Sequence, residues 1–107
     1  MIAYLKGVRD YNDACRGGPN RAEIVGILTR TTPIRDPALW DRLVWTAIDP
    51  NGRVNTASIL ETQAWYRRNN MLQGDVDLRP FVDSSFAEWA VQQLGPYQGG
   101  RACPSTG

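Results

Sequence analysis

Histidine is absent from this chain of 107 residues, and its absence excludes several kinds of chemistry. Without an imidazole, the chain has no Ser-His-Asp or Cys-His nucleophile pair, no histidine general base and no histidine-containing zinc site. Cysteine is scarce as well, since the chain has only two and a zinc site built from thiolates alone needs four. We therefore expect neither a metal or other cofactor nor enzymatic activity.

The two cysteines, Cys15 and Cys103, lie near opposite ends of the chain and could form one disulfide or remain free thiols. Their spacing does not decide between these states. We expect no bridge between them, because Cys103 lies in a stretch rich in glycine, serine, threonine and proline, which is typical of a mobile tail. Cys15 is expected to be a small buried hydrophobe rather than a reactive thiolate.

An excess of charge of one sign is also lacking. Twelve lysines and arginines stand against eleven acidic residues, which leaves a formal net charge of +1 without a basic cluster. The attraction that supplies non-specific affinity for nucleic acid is therefore missing. No apolar run approaches the roughly 20 residues that cross a bilayer. We expect neither a nucleic-acid partner nor direct insertion into a membrane.

The sequence does contain enough apolar material for one folded domain, with 42% hydrophobic residues and four tryptophans. A chain of this mass buries about two thirds of its surface on folding. Apolar residues recur at helical spacing in five segments, so the sequence predicts an all-α fold of about five short amphipathic helices in one compact array. The five segments are residues 2–16, 20–30, 37–44, 55–70 and 83–94.

Residues that cap or break helices mark the boundaries of these segments. The expected caps are Asn20, with Glu23 completing a capping box, Asp36 before a proline, Asn55 or Thr56, and Asp83. Val54 and Val76 could add one very short strand. Residues 1–96 are thus predicted to form the helical domain, and residues 97–107 a flexible tail.

The apolar stripes of two helices carry specific expectations about burial. The third helix is expected to bury Leu39, Trp40, Leu43 and Val44, and the last helix Phe86, Trp89, Ala90 and Leu94. For the four tryptophans as a group, core packing is the favoured interpretation, with cover for a partner surface as the alternative.

One polar stretch resembles a metal loop only in part. Asp49, Asn51, Arg53 and Asn55 alternate like the first ligands of a calcium-binding loop. However, arginine occupies the fifth position and Val54 replaces the required glycine. A solvated turn followed by a helix cap is the favoured interpretation.

Three other groups of residues are weighed against simpler roles. Asp75 and Asp77 could form a carboxylate pair for acid–base catalysis, but a turn or cap is favoured, since no pocket is predicted to shift a pKa. The turn at residues 17–20 could bind an anion, but it lacks the lysine of a P-loop. Arg67 and Arg68 adjoin two aromatic residues, yet a single-stranded nucleic-acid platform needs more positive charge.

Four stretches follow one another in a characteristic order and cover most of the chain. They are YLKGVRDYNDA (residues 4–14), NRAEIVGILTRTTPIRDPALWDRL (20–43), DPNGRVNTASILETQAWYRRNNMLQGDVDL (49–78) and FVDSSFAEWAVQQLGPY (81–97). This succession resembles the C-terminal part of the solute-binding proteins of ABC importers, in the group that serves nitrate, sulfonates, taurine and thiamine-pyrimidine precursors. The shared features include a Thr-Pro step before Asp-Pro-Ala-Leu, a Gln-x-Trp-Tyr helix and a Gly-x-Val-Asp turn.

The resemblance implies that the chain is the helical end of a longer periplasmic protein with two α/β lobes. That protein would bind a small polar or anionic solute between its lobes and deliver it to an ABC permease. The expected partners are the remainder of the binding-protein fold and the permease. No export signal follows Met1, so the chain itself looks like a fragment or excised domain. No ligand-binding motif of the family falls within the matched stretches, so the resemblance assigns no site residue.

An alternative needs no larger protein. The chain could be an independent helical interaction module that forms a homodimer through its tryptophan-bearing faces.

Overall fold

The computed structural model describes residues 1–99 and Cys103, and this part of the chain is all-helical, with no β-strand. Four α-helices are joined by turns and extended loops, and two short 3-10 segments lie between them. The helices are α1 (Ile2–Cys15), α2 (Arg21–Thr31), α3 (Thr56–Arg68) and α4 (Ser85–Leu94), and the 3-10 segments are Pro37–Asp41 and Arg79–Phe81. The predicted all-α class is confirmed, and no strand forms at Val54 or Val76. Within the described residues, no helix combines the length and apolar character needed to span a bilayer.

The third predicted helix is a single 3-10 turn rather than an α-helix. Asp36 caps it as expected, since its carboxylate accepts a hydrogen bond from the Ala38 amide at 2.9 Å. Helix growth then stops because the Trp40 carbonyl is engaged elsewhere: it accepts from the Trp45 indole nitrogen at 2.8 Å and from Arg21 at 3.3 Å. Trp40 alone of the expected stripe is buried, and the rest is exposed at Leu39, Leu43 and Val44.

Two of the predicted caps behave differently. The Asn55 side chain accepts from the Ser58 amide at 3.0 Å and caps α3, as predicted. The capping box at Asn20 is wrong, because its side chain makes no capping bond and instead donates to the Asp10 carbonyl at 2.9 Å. Asn20 therefore fastens the turn between α1 and α2 rather than the first turn of α2.

The main core lies between α1, α2 and the loop that follows the first 3-10 segment. Trp40 and Trp45 meet edge to face, with ring centroids 5.6 Å apart, and Tyr11 lies 5.1 Å from Trp45. Ala14 and Cys103 are buried against this pair. Partly buried apolar side chains of α2 and its surroundings complete the cluster: Ile24, Val25, Leu28 and Ile34.

A second contact joins α1 to α4 through small residues. Ala87 and Ala90 of α4 are buried, and Leu5 of α1 is fully buried. Gly52 fits between them with φ +69°, and an added Cβ would lie 2.9 Å from a Leu5 methyl. The expectation that Phe86 and Trp89 pack in the core is wrong, because the alanine side of α4 faces α1.

The two cysteines form a disulfide, so the expectation of free thiols is wrong. Cys15 ends α1, and its Cα lies 5.9 Å from that of Cys103. The Cys103 amide donates to the buried Asn12 side chain at 3.1 Å. Of the predicted tail, Tyr97 contacts Asp13 and Arg16 of α1 through its hydroxyl. Residues 100–102 and 104–107 of that tail lie outside the described residues, and its flexibility stays a prediction.

Arg21 is expected to be a major contributor to stability. Its guanidinium donates to the Ala14, Cys15 and Trp40 carbonyls and lies 4.9 Å from the Trp45 ring centroid. Arg21→Ala should lower the free energy of unfolding by about 2 kcal/mol, because these carbonyls lose a charged donor. The measurement is urea denaturation followed by circular dichroism. Arg30→Ala, at an exposed position of the same helix, is the matched control, and equal losses in both variants would contradict the assignment.

Candidate interaction surface

The calcium-like stretch is a turn and a cap, as favoured from the sequence. The Asp49 carboxylate accepts from the Asn51 amide at 2.8 Å and pairs with Arg53 at 3.1 Å, while Asn55 caps α3. The Asn51 side chain accepts from Arg9 and from the Tyr97 amide. These oxygens are therefore committed to protein donors. Nowhere in the described residues does a group of three or more potential ligands form a metal site.

Asp75 and Asp77 are held apart in two separate ion pairs. Asp75 meets Arg67 of α3 at 2.8 Å, and Asp77 meets Arg79 at 2.8 Å. The hydrogen bond from Arg79 lowers the pKa of Asp77, whereas a general acid at neutral pH needs a raised pKa. The pair therefore stabilises the loop after α3, in agreement with the turn interpretation.

The turn at residues 17–20 is likewise occupied by its own backbone bonds. The Gly17 amide donates to the Ala14 carbonyl at 3.0 Å, and the Gly18 amide donates to the Asp13 carbonyl at 2.8 Å. Gly17 has φ +81°, which favours glycine. Because both amides are engaged in ending α1, the favoured interpretation as a helix terminator holds.

The four tryptophans divide into two groups. Trp40 and Trp45 are buried in the main core, as the sequence favours. Trp65 of α3 and Trp89 of α4 are about half exposed, at 49% and 51%. Trp89 lies one turn from Phe86, which is 69% exposed. We call Phe86 and Trp89 the α4 aromatic face.

A shallow groove runs along α3. It has a volume of about 320 Å³ and is lined mainly by apolar side chains, among them Ile59, Tyr66, Leu72 and Leu78. The buried Gln63 side chain donates to the Val76 carbonyl at 2.7 Å and fixes the loop beside the helix. We call this feature the α3 groove.

Helix α3 lies apart from the other helices of the described chain. The helix pairs with extended contact are α1 with α2 and α1 with α4, and α3 belongs to neither. Its contacts are mainly with its own following loop, through Gln63 and Arg67. Trp65 and Tyr66 meet edge to face at 5.4 Å on its exposed side. The aromatic side chains of α3 are thus available for contact with another surface.

The amount of exposed surface fits this arrangement. The accessible surface is 7777 Å², whereas a folded monomer of this mass has about 6,000 Å². Many of the exposed side chains are large and apolar, including the two groups defined above. Single exposed apolar residues are ordinary, but contiguous ones mark an interaction surface. The sequence signal that could have located this surface is the pair Ala87 and Ala90, which allows close helix approach and turns the α4 aromatic face away from α1.

The α4 aromatic face should be dispensable for the stability of the isolated chain. In a Phe86→Gln/Trp89→Gln variant, we expect the free energy of unfolding to change by no more than about 0.5 kcal/mol, because both side chains are already largely solvated. Binding of an apolar dye should fall. Ala90→Gln, at a fully buried position of the same helix, should cost about 2 kcal/mol or more. Urea denaturation and dye fluorescence measure both effects, and similar losses in the two variants would show that the face is buried.

No protein-family model, curated protein or solved structure significantly matches this chain. The family resemblance described from the sequence therefore stays a prediction.

Proposed function

We propose that this chain is the C-terminal helical part of the solute-binding component of an ABC importer for a small polar or anionic solute. Its role is to support one lobe of that protein, with the permease or a neighbouring subunit as a further contact. The observation that carries the proposal is the exposed apolar surface formed by the α4 aromatic face and by α3. The resemblance of the four sequence stretches names the family.

The α4 aromatic face supports the proposal through its position. One side of α4 packs on α1 through Ala87 and Ala90, and the neighbouring side carries Phe86 and Trp89. A helix that is apolar on more than one side is typical of an element between two layers. In a complete binding-protein lobe, the second layer would be the α/β part that the resemblance implies.

Helix α3 supports it through energetics. An isolated helix of 13 residues is marginal in water, and most helical stability in proteins comes from packing an apolar face. The contacts of α3 with its own loop bury only part of its aromatic side chains. Docking against a larger fold would bury Trp65 and Tyr66 and supply the missing stabilisation.

The disulfide supports the compartment. Disulfides persist in oxidising environments, among them the bacterial periplasm, and are rare in the cytosol. A bridge between Cys15 and Cys103 is therefore consistent with an exported parent protein. The periplasmic location remains part of the proposal.

The mechanism follows from two-lobed architecture. A solute bound between two lobes is desolvated from both sides, and hinge closure then presents the closed form to the permease. This chain supplies helices that hold one lobe rigid. We propose no direct solute contact and no catalytic step for its residues.

A second candidate is the homodimer, which is favoured by the same exposed tryptophans. In that case the α4 aromatic face and the α3 groove would be covered by another copy of the chain. Light scattering separates the two candidates: a discrete dimer with blue-shifted tryptophan emission favours the interaction module, and a monomer prone to aggregation favours the helical part of a larger lobe.

The decisive experiment compares the same variant in two settings. The coding sequence upstream of Met1 should continue in frame into an α/β protein with an export signal. In that longer protein, Phe86→Gln/Trp89→Gln should lower the free energy of unfolding by about 3 kcal/mol or more, because buried aromatic side chains are lost. In the isolated chain the same change is expected to cost little. The proposal fails if no such reading frame exists, or if the variant is equally harmless in both proteins.

Solute binding gives an independent test. Calorimetry should detect no tight binding of nitrate, taurine or a pyrimidine to the isolated chain, since a two-walled site needs its second lobe. The longer protein should bind one of these classes. Tight binding by the isolated chain would contradict the assigned supporting role.

A further inference from the structure

The disulfide joins two parts of the structure that have very different sequence positions. Cys15 is the last residue of α1, and Cys103 lies beyond α4 near the C-terminus. Cys103 is only 3% exposed and packs in the main core with Ala14, Trp40 and Trp45. A residue close to the chain end thus closes the core formed by α1, α2 and the tryptophan pair.

Apart from the sulfur bridge, few described contacts hold this end of the chain. We call residues 97–99 and Cys103 the C-terminal segment. The Cys103 amide donates to Asn12, the Tyr97 amide donates to Asn51, and the Tyr97 hydroxyl meets Asp13 and Arg16. The Tyr97 contacts with α1 involve partly exposed side chains, and such contacts contribute little in water. Cross-linking ends that are 88 residues apart has a much larger effect on the unfolded chain.

We propose that the Cys15–Cys103 pair is a redox-dependent latch. In the disulfide state it holds the C-terminal segment on α1 and covers the Trp40–Trp45 pair. In the dithiol state the segment leaves α1, and the tryptophan pair becomes accessible to solvent. The proposal depends only on contacts within this chain, so it stands or falls separately from the function proposed above.

The switching reaction is a thiol–disulfide exchange with a dithiol reductant. A thiolate of the reductant attacks the sulfur of Cys15, which is the more accessible of the two. The Cys15–Cys103 bond breaks, and Cys103 leaves as a thiolate and takes up a proton. The second thiol of the reductant then displaces Cys15, so the protein gains two thiols and the reductant becomes a cyclic disulfide. Oxidation reverses the exchange.

The test uses the full 107-residue chain with Trp65→Phe/Trp89→Phe substitutions, so that emission reports on Trp40 and Trp45 alone. The readouts are free thiols, melting temperature, and quenching of tryptophan emission by acrylamide, each with and without dithiothreitol. Cys15→Ala/Cys103→Ala in the same background is the matched control, because it removes the bridge and cannot respond to the reductant.

The latch predicts no free thiol in the oxidised chain and two after mild reduction. Reduction should lower the melting temperature by roughly 10–20 °C, increase acrylamide quenching and shift the emission to the red. The alanine control should match the reduced chain in both buffers. Free thiols in the oxidised protein, a bridge that does not react while the chain is folded, or unchanged quenching after reduction would each overturn the proposal.

Discussion

Helix α1 carries contacts to each of the other packed parts of the described structure, and its side chains are divided accordingly. Leu5 meets the alanine side of α4, while Ala14 and Cys15 belong to the main core with α2. Between them the buried Asn12 donates to the Ile48 carbonyl and accepts from the Cys103 amide. Buried amides are costly unless they are hydrogen-bonded, so this residue fixes how the loop and the chain end approach α1. The arrangement of the other elements depends on that constraint.

Two arginines extend the same constraint beyond α1. Arg9 donates to the Pro50 and Gly95 carbonyls and thereby joins α1 to the turn before α3 and to the end of α4. Arg21 joins the end of α1 to the tryptophan core. Both satisfy carbonyls that no helix or strand partner reaches. What these clamps leave uncovered is the aromatic surface of α3 and α4, and the proposed function depends on that surface.

Much of the helical framework could be predicted from local chemistry, whereas burial could not. Asn55 and Asp36 act as the caps that their neighbours in sequence indicate. Asn20 fails as a cap because a carbonyl on the preceding helix competes for its amide. Phe86 and Trp89 fit an apolar stripe equally well whether α4 uses them or its alanines against α1. Periodicity identifies a stripe but does not say which part of it meets a neighbour.

The sequence by itself determined the all-α class, the places where helices begin and end, and the absence of histidine chemistry, because these depend on residue type and on neighbours a few positions away. Only the tertiary structure decided that Trp40 ends a short turn, that Cys15 pairs with Cys103, and that Trp89 faces outward. Each of these outcomes is set by a partner distant in sequence or by its absence. Local propensity carries no information about such partners, since the free energy of these contacts arises only when the helices pack.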